Sequence, residues 1–210
     1  MKIVSVNIAK PTDIMIGSRV EKTGIYKTSI ASGYFGSHGV QHDAVISKKH
    51  HGGPDQAVYV YTQPDYEKFL ASGILVSSGI FGENLTITDL ESADLAVGDR
   101  LVLSEVVLEV TSPRIPCATL ATRMNDQHFI QKFKDMKAPG FYCRVLSEGE
   151  IRAGESFTLT PKQGERVTVK ELFDNYYEKA PSRADLERFL RSPLAIRARN
   201  ENEKKLSRIS

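Results

Sequence analysis

The sequence predicts a mixed α/β chain, mainly β: a β-barrel with a few helices, followed by a small C-terminal three-helix bundle. Three observations carry this expectation. Most of residues 1–160 falls into short runs rich in Val, Ile, Tyr and Thr, many bounded by Gly, Asp or Ser, which is the mark of strands. Val97-Gly-Asp-Arg-Leu101 and Ala153-Gly-Glu-Ser-Phe157 repeat one pattern in which a glycine turn feeds a strand, as expected where a sheet curls into a barrel. Beyond residue 160 charge and pattern both change: 12 Lys/Arg face 8 Asp/Glu there, leaving 16 of the chain's 28 basic and 18 of its 26 acidic residues ahead of it. A boundary near Pro161-Lys-Gln-Gly164 therefore separates a barrel domain, 1–162, from a helical domain, 163–210.

In order, strands are expected at 3–8, 24–30, 57–61, 84–87, 100–103, 106–111, 141–146 and 156–160. Two helices interrupt them. Residues 63–72 follow Thr62 as N-cap, carry Pro64 in the first turn, and set Tyr66, Phe69 and Leu70 on one face. Residues 126–136 space Phe129, Ile130, Phe133 and Met136 in the same way, an aromatic stripe that reads as core packing. In the tail, Thr168 with Glu171 forms a capping box, and Ser182 with Asp185 repeats it with a shorter acid. Ser192-Pro193 offers a cap and an N1 proline for the third helix. The basic residues of that last segment alternate with Glu201 and Glu203 and read as a solvated face.

With 210 residues and 40% hydrophobic content the chain can bury a sizeable core. A formal charge of +2 is too mild to mark a nucleic-acid binder, and no run approaches the roughly 18 apolar residues of a membrane span. Two cysteines make no disulfide framework, so the expected compartment is a reducing cytoplasm.

Chemistry concentrates in three stretches. Cys117 ends Ser112-Pro-Arg-Ile-Pro-Cys117, where two prolines stiffen the backbone and Arg114 precedes the sulfur by three positions. A guanidinium beside a thiol favours the thiolate, so Cys117 is a nucleophile, a soft metal ligand, or a small buried hydrophobe. Lys48-Lys-His-His-Gly-Gly-Pro-Asp55 is a tight basic turn: Gly52 and Gly53 bring backbone amides close to an anion, with Lys49 and His51 on its flank. Glu83, in Phe81-Gly-Glu-Asn-Leu85, is a candidate general acid/base or hydrogen-bond acceptor, with the amide of Asn84 beside it. His38, His42, His50 and His51 crowd one region, but Gly33, Gly36 and Gly39 argue against a helix that would present the first two together. Cys143 alternates with larger residues in a strand and reads as a structural thiol.

Together these stretches resemble the MOSC family, named for the C-terminal domain of molybdenum-cofactor sulfurase. The matching pieces are Lys49-x-His51-Gly-Gly-Pro-Asp55, Phe81-Gly-Glu-Asn-Leu85, Val97-Gly-Asp99, Ser112-Pro-Arg-x-Pro-Cys117, Gly140-Phe-Tyr142 and the turn at Gly154. The three-helix tail resembles an extension found in a bacterial subgroup that includes a reductase of 6-hydroxylaminopurine. The resemblance implies a MOSC-like barrel that binds the molybdenum cofactor (molybdopterin). Cys117 would ligate the metal. Lys49, His51, Gly52, Gly53, Asn84 and Arg114 would hold the cofactor, and Glu83 or His51 would supply protons. It implies a reductase of small N-hydroxylated substrates, fed electrons by a partner reductase, and leaves a homodimer open. A cofactor carrier without turnover, a metal-free thiol enzyme and, last, nucleic-acid binding through the tail are the competing readings. The family often has Gly-Asp where this chain has His42-Asp43, so His42 bears on substrate range if it points into the pocket.

Overall fold

The structure, a computed structural model, describes residues 1–46 and 52–209. Its first six strands are β1 (Ile3–Ile8), β2 (Thr12–Ile16), β3 (Arg19–Thr23), β4 (Thr28–Ile30), β5 (Ser32–Gly36) and β6 (Gly39–Val40). Then come β7 (Val58–Thr62), α1 (Gln63–Ala71), β8 (Leu85–Ile87), β9 (Arg100–Val102) and β10 (Val107–Pro113). The helices α2 (Ala118–Arg123) and α3 (Phe129–Met136) precede β11 (Phe141–Ser147), β12 (Gly149–Arg152) and β13 (Thr158–Thr160). The chain ends in α4 (Val169–Tyr177), α5 (Arg183–Leu190) and α6 (Ile196–Ser207).

The fold is mixed α/β, dominated by an eight-stranded sheet in the order β13-β9-β10-β11-β7-β8-β1-β4. Its pairs are antiparallel except β7 with β8, which run parallel because α1 carries the chain back across the sheet between them. Among the described residues the ladder of the expected barrel, closed or nearly closed, does not close, and β13 and β4 are its edges. The far ends nevertheless approach. Ile3 N donates to Glu155 O and Gly154 N to Ile3 O, both at 2.8 Å, and Lys2 and Ser156 form a single bridge. Only the few residues after the Gly154 turn reach β1 before the chain leaves to pair β13 with β9, so the seam stays incomplete.

The strand β7 explains how the core divides. Its side chains alternate, as a pleated strand requires, and both faces are buried. Val58 and Val60 join Val6, Phe35, Leu85, Leu101, Leu108 and Val110 in an aliphatic core that also holds Cys143. Tyr59 and Tyr61 point the other way, into an aromatic core with Tyr66, Phe69, Phe81, Phe129, Phe133 and Tyr142. The helices α1 and α3 present the faces read from their periodicity: Tyr66 and Phe69 from one, Phe129 and Phe133 from the other. This aromatic core forms part of the wall and floor of the candidate site.

The tail helices α4 and α5 begin at their expected caps. Thr168 and Glu171 complete a full capping box, and Ser182 accepts from Asp185 N. The third helix differs. It starts at Ile196 rather than after Ser192-Pro193, and its first amide donates to Asp55 Oδ2 at 2.9 Å. A carboxylate from the Gly-Gly-Pro-Asp turn thus replaces the local cap, which sequence pattern alone does not reveal. Leu172, Phe189 and Leu194 pack with Val167 and with Val97 of the sheet region. Asp99, fully buried, clamps the junction: its carboxylate accepts from Arg166 in bidentate fashion at 2.8 and 2.9 Å, from Lys162 N and from Ala96 N.

Candidate functional site

The segment after β10 builds the site. Ser112 still pairs with Tyr142 of β11, then Pro113 ends the strand and the loop carries Arg114 inward. Cys117 follows as the extended residue that opens α2, with φ −135°, and it is half-buried. It lies in the wall between two cavities. One, of about 360 Å³, is bounded by β2, β3, Lys27, Asp43, Gly52, Asn84, Arg114 and Tyr142. The other, of about 420 Å³, lies between the 112–117 loop and the helices α4 and α6. Gln56, Cys117 and Tyr142 face both.

Arg114 is the electrostatic centre. It is 3% exposed, and its Nη1 has no hydrogen-bond partner among the described residues. Its guanidinium carbon sits 5.5 Å from the Tyr59 ring centroid and 5.7 Å from that of Phe133. Its pKa stands above the usual guanidinium value: burial disfavours the charge, and Tyr59, Cys117, Tyr142 and Tyr61 are the leading groups that more than offset this. Burial also pushes the phenols of Tyr59, Tyr61 and Tyr142 up, so they stay neutral at ordinary pH.

A second cation lines the same cavity. Lys27 is paired with Asp43 in a buried ion pair, and burial lowers the lysine's pKa despite that partner. Asp43 Oδ2 also accepts from Asn84 Nδ2 at 2.9 Å, and its Oδ1 from Ala9 N at 2.8 Å. The Asn84 amide accepts from Tyr59 N and donates to Asn7 O, so it braces three segments while lining the cavity. Glu83 is fully buried and does not line either cavity. Its Oε1 accepts from Tyr66 Oη, Gly79 N and Thr86 Oγ1, while Oε2 has no partner among the described residues. Burial raises its pKa.

The fold therefore brings Gly52, Asn84, Arg114 and Cys117 to one cavity. Gly52 has φ +74°, and a β-carbon there would stand 2.7 Å from Val45 Cγ1, so both conformation and space call for glycine. Gly53 shares the positive φ but stands outside both linings. Lys49, His50 and His51 lie outside the described residues. His42 is exposed, in a turn with φ +66°, and lines neither cavity. Lys27 and Asp43 were missed as site residues; the nearest signal was the His42-Asp43 position, but nothing local marks a lysine that a distant carboxylate turns inward. The β2–β3 hairpin at the cavity rim was missed too, although Gly17-Ser18 is a two-residue hairpin turn signal. No group of three or more His, Cys, Asp or Glu poised to hold a metal ion occurs among the described residues.

The model of the MOSC domain matches residues 47–158, more than half of the chain. The chain belongs to the MOSC-domain family. Relatives extend the likeness over nearly the whole length: it is 31% identical to the protein YflK of Bacillus subtilis (strain 168) over 192 residues, 90% of this chain and 86% of that one. The crystal structure of YiiM from Geobacillus stearothermophilus superposes with a TM-score of 0.80 at 27% identity, covering 98% of each chain. A Gibberella moniliformis protein named "Reductase" is 32% identical over 114 residues, which span 52% of this chain and 20% of that larger protein. The MOSC match covers the turn at 52–55, Glu83, Asn84, Asp99, Arg114 and Cys117, while the tail helices that close the second cavity lie beyond it. Among the described residues no helix is long and apolar enough to cross a membrane.

Proposed function

We propose that this MOSC protein is a molybdenum-cofactor-dependent reductase that converts N-hydroxylated compounds, such as 6-hydroxylaminopurine, to amines. The observation that carries this reading is the buried guanidinium of Arg114, with an unpartnered Nη1, standing beside Cys117 on one cavity wall. A buried charge without a carboxylate is costly, and an anionic group seated in the cavity removes that cost. The donor set suits a pterin dithiolene carrying a phosphate: Arg114 and Lys27 for oxyanions, the Gly52 region for close backbone approach, and a soft sulfur for the metal. Lys49, His51 and Gly53 belong to the same proposal on sequence grounds.

When bound, the cofactor supplies two-electron chemistry at the metal, with Cys117 Sγ as the protein ligand. The overall reaction is R–NHOH plus two protons and two electrons giving R–NH2 and water. The chain resembles no flavin or iron–sulfur binder, so the electrons come from a redox partner protein. Arg114 and Lys27 keep the cavity electropositive and orient anionic oxygens. Asp43 fixes the Lys27 ammonium, and Asn84 fixes Asp43. The neutral Tyr142 phenol, at the wall common to both cavities, holds a proton on Oη beside Cys117. Glu83 sits one layer below and secures the 79–86 segment through Oε1, which makes it a positioning residue. The division at 161–164 makes residues 163–210 the part that completes the site from outside the MOSC region.

The test is turnover. Cofactor-loaded protein, given a reduced donor protein and 6-hydroxylaminopurine, is expected to release the amine and to lose this activity in Cys117→Ala. Cofactor binding without any turnover would make the protein a carrier instead.

A further inference from the structure

Gly52 to Gln56 form a turn whose own backbone does little to fix its shape. Gly52 and Gly53 stand at φ +74° and +88°, a region that glycine enters and leaves freely, and Pro54–Gln56 make a single 3-10 turn. Within the segment, Gln56 N donates to Gly53 O at 3.0 Å. The other contacts come from outside it. Thr111 Oγ1 donates to Asp55 O at 2.6 Å, and Arg144 Nη2 stands 3.1 Å from Asp55 Oδ1. The amide of Ile196 donates to Asp55 Oδ2, and Arg197 Nη1 donates to Gln56 Oε1. Arg144 Nη2 also donates to the carbonyls of Pro193 and Leu194, at 3.1 and 3.3 Å, and Ala195 N donates to Thr111 O at 3.1 Å. The run 193–197 therefore grips the turn and the residues that support it, and this run lies outside the MOSC match. Gly52, at the other end of the turn, lines the cavity of Arg114 and Cys117.

We propose that α6 is a positioning element for the cofactor: Arg197, through Gln56, and the first amide of α6, through Asp55, hold the glycine turn in the shape that a cofactor anion meets. This rests on the cofactor part of the reductase reading and adds a function for the tail. A glycine turn loses freedom when it grips an anion, and a turn already held by α6 has less to lose. The dependence runs both ways, because a helix that favours the loaded turn is favoured by loading to the same degree. The chain offers α6 no cap of its own: Ala195, at the cap position, has no side-chain oxygen to accept the first amides. Without the turn, α6 loses its acceptor. Without α6, Asp55 and Gln56 lose the partners that the tail supplies.

The experiment uses the full chain as wild type, Arg197→Ala and Arg197→Lys, each purified from a host that makes the pterin and from one that does not. Hydrogen exchange is followed in residues 196–207 with β1 as reference, and pterin release after dilution is followed by fluorescence. In wild type, loading is expected to slow exchange in α6 about tenfold and to leave β1 unchanged. Arg197→Ala should release pterin about tenfold faster and lose most of the slowing in α6. Arg197→Lys keeps the charge and a donor for Gln56, and should stay within about threefold of wild type on both readouts. Equal α6 exchange in loaded and cofactor-free wild type, or release from Arg197→Ala at the wild-type rate, would overturn the assignment, and so would a lysine variant as defective as the alanine one. Wild type that carries no pterin from the pterin-making host would fail the cofactor reading instead. The link between turn and helix is then read from cofactor-free Gly52→Ala, because a β-carbon there would stand 2.7 Å from Val45 Cγ1 and φ +74° disfavours alanine. Exchange in α6 that rises relative to β1 supports the link; an unchanged ratio overturns it.

Discussion

Replacing Arg114 by Met separates what the fold requires from what the site requires. In the cofactor-free protein the guanidinium is buried, and its Nη1 is unpartnered among the described residues. Burying an ion with one nitrogen unpartnered costs several kcal/mol, while the contacts with the Tyr59 and Phe133 rings return about 1–2 kcal/mol each. Methionine keeps the unbranched stem and its packing, loses the charge, and leaves no orphaned donor. The cofactor-free variant should therefore be more stable than wild type by about 1–2 kcal/mol, a rise in Tm of roughly 2–8 °C for a chain of this size. Urea unfolding of protein from a host that makes no pterin gives the value, and cofactor content from a pterin-making host gives the second readout, which should collapse. A variant that loses 2 kcal/mol or more without cofactor would refute the reasoning, because the guanidinium would then have a structural partner.

Other expectations follow from the same contacts. Asp55→Ala removes the first-turn acceptor of α6 and one of several partners of Arg144, 3.1 Å away, and should cost about 2 kcal/mol. Hydrogen exchange should locate that loss in α6 while β1 stays protected; a uniform loss would argue against the cap. Asp99→Ala orphans the amides of Ala96 and Lys162 and should lower stability by about 3 kcal/mol in urea titration, whereas a cost under about 1 kcal/mol would contradict the clamp. Glu83 sets a pH dependence. Burial raises its carboxyl above 4.5, so in the window just above that value the folded chain holds a proton that the unfolded chain has lost. Stability therefore falls as pH rises through the window, and Glu83→Gln, with no proton to lose, should flatten that slope above pH 4.5. An unchanged slope in the variant would show that Glu83 does not contribute it.

Much of the fold was legible because its signals are local. The alternation from Val4 to Ile8 pointed to β1, and the capping pairs Thr168/Glu171 and Ser182/Asp185 gave the starts of α4 and α5. What escaped is non-local. β5 and β6 are glycine-rich: a β-carbon at Gly33 would stand 3.3 Å from Val40 Cγ1, a tight contact that composition does not announce. The start of α6 is set by Asp55, 141 residues away. The open seam of the sheet depends on how far one short segment follows β1, which strand counting cannot give. At the site, Cys117 and Arg114 were legible as a stiff loop with opposed chemistry. The Lys27–Asp43 pair and the second cavity were not, because tertiary packing creates both. Val97-Gly-Asp99 shows the converse: a recognisable pattern whose carboxylate ties down the tail and takes no part in either cavity.

The most direct test of the central claim is the molybdenum and pterin content of protein purified from a cofactor-producing host, wild type beside Cys117→Ala. The account predicts both in wild type, stoichiometric with the chain, and loss of the metal from a variant that remains folded. Wild-type protein devoid of molybdenum in such a host, or a variant that retains it fully, would contradict the account and return Cys117 to the role of a metal-free thiol.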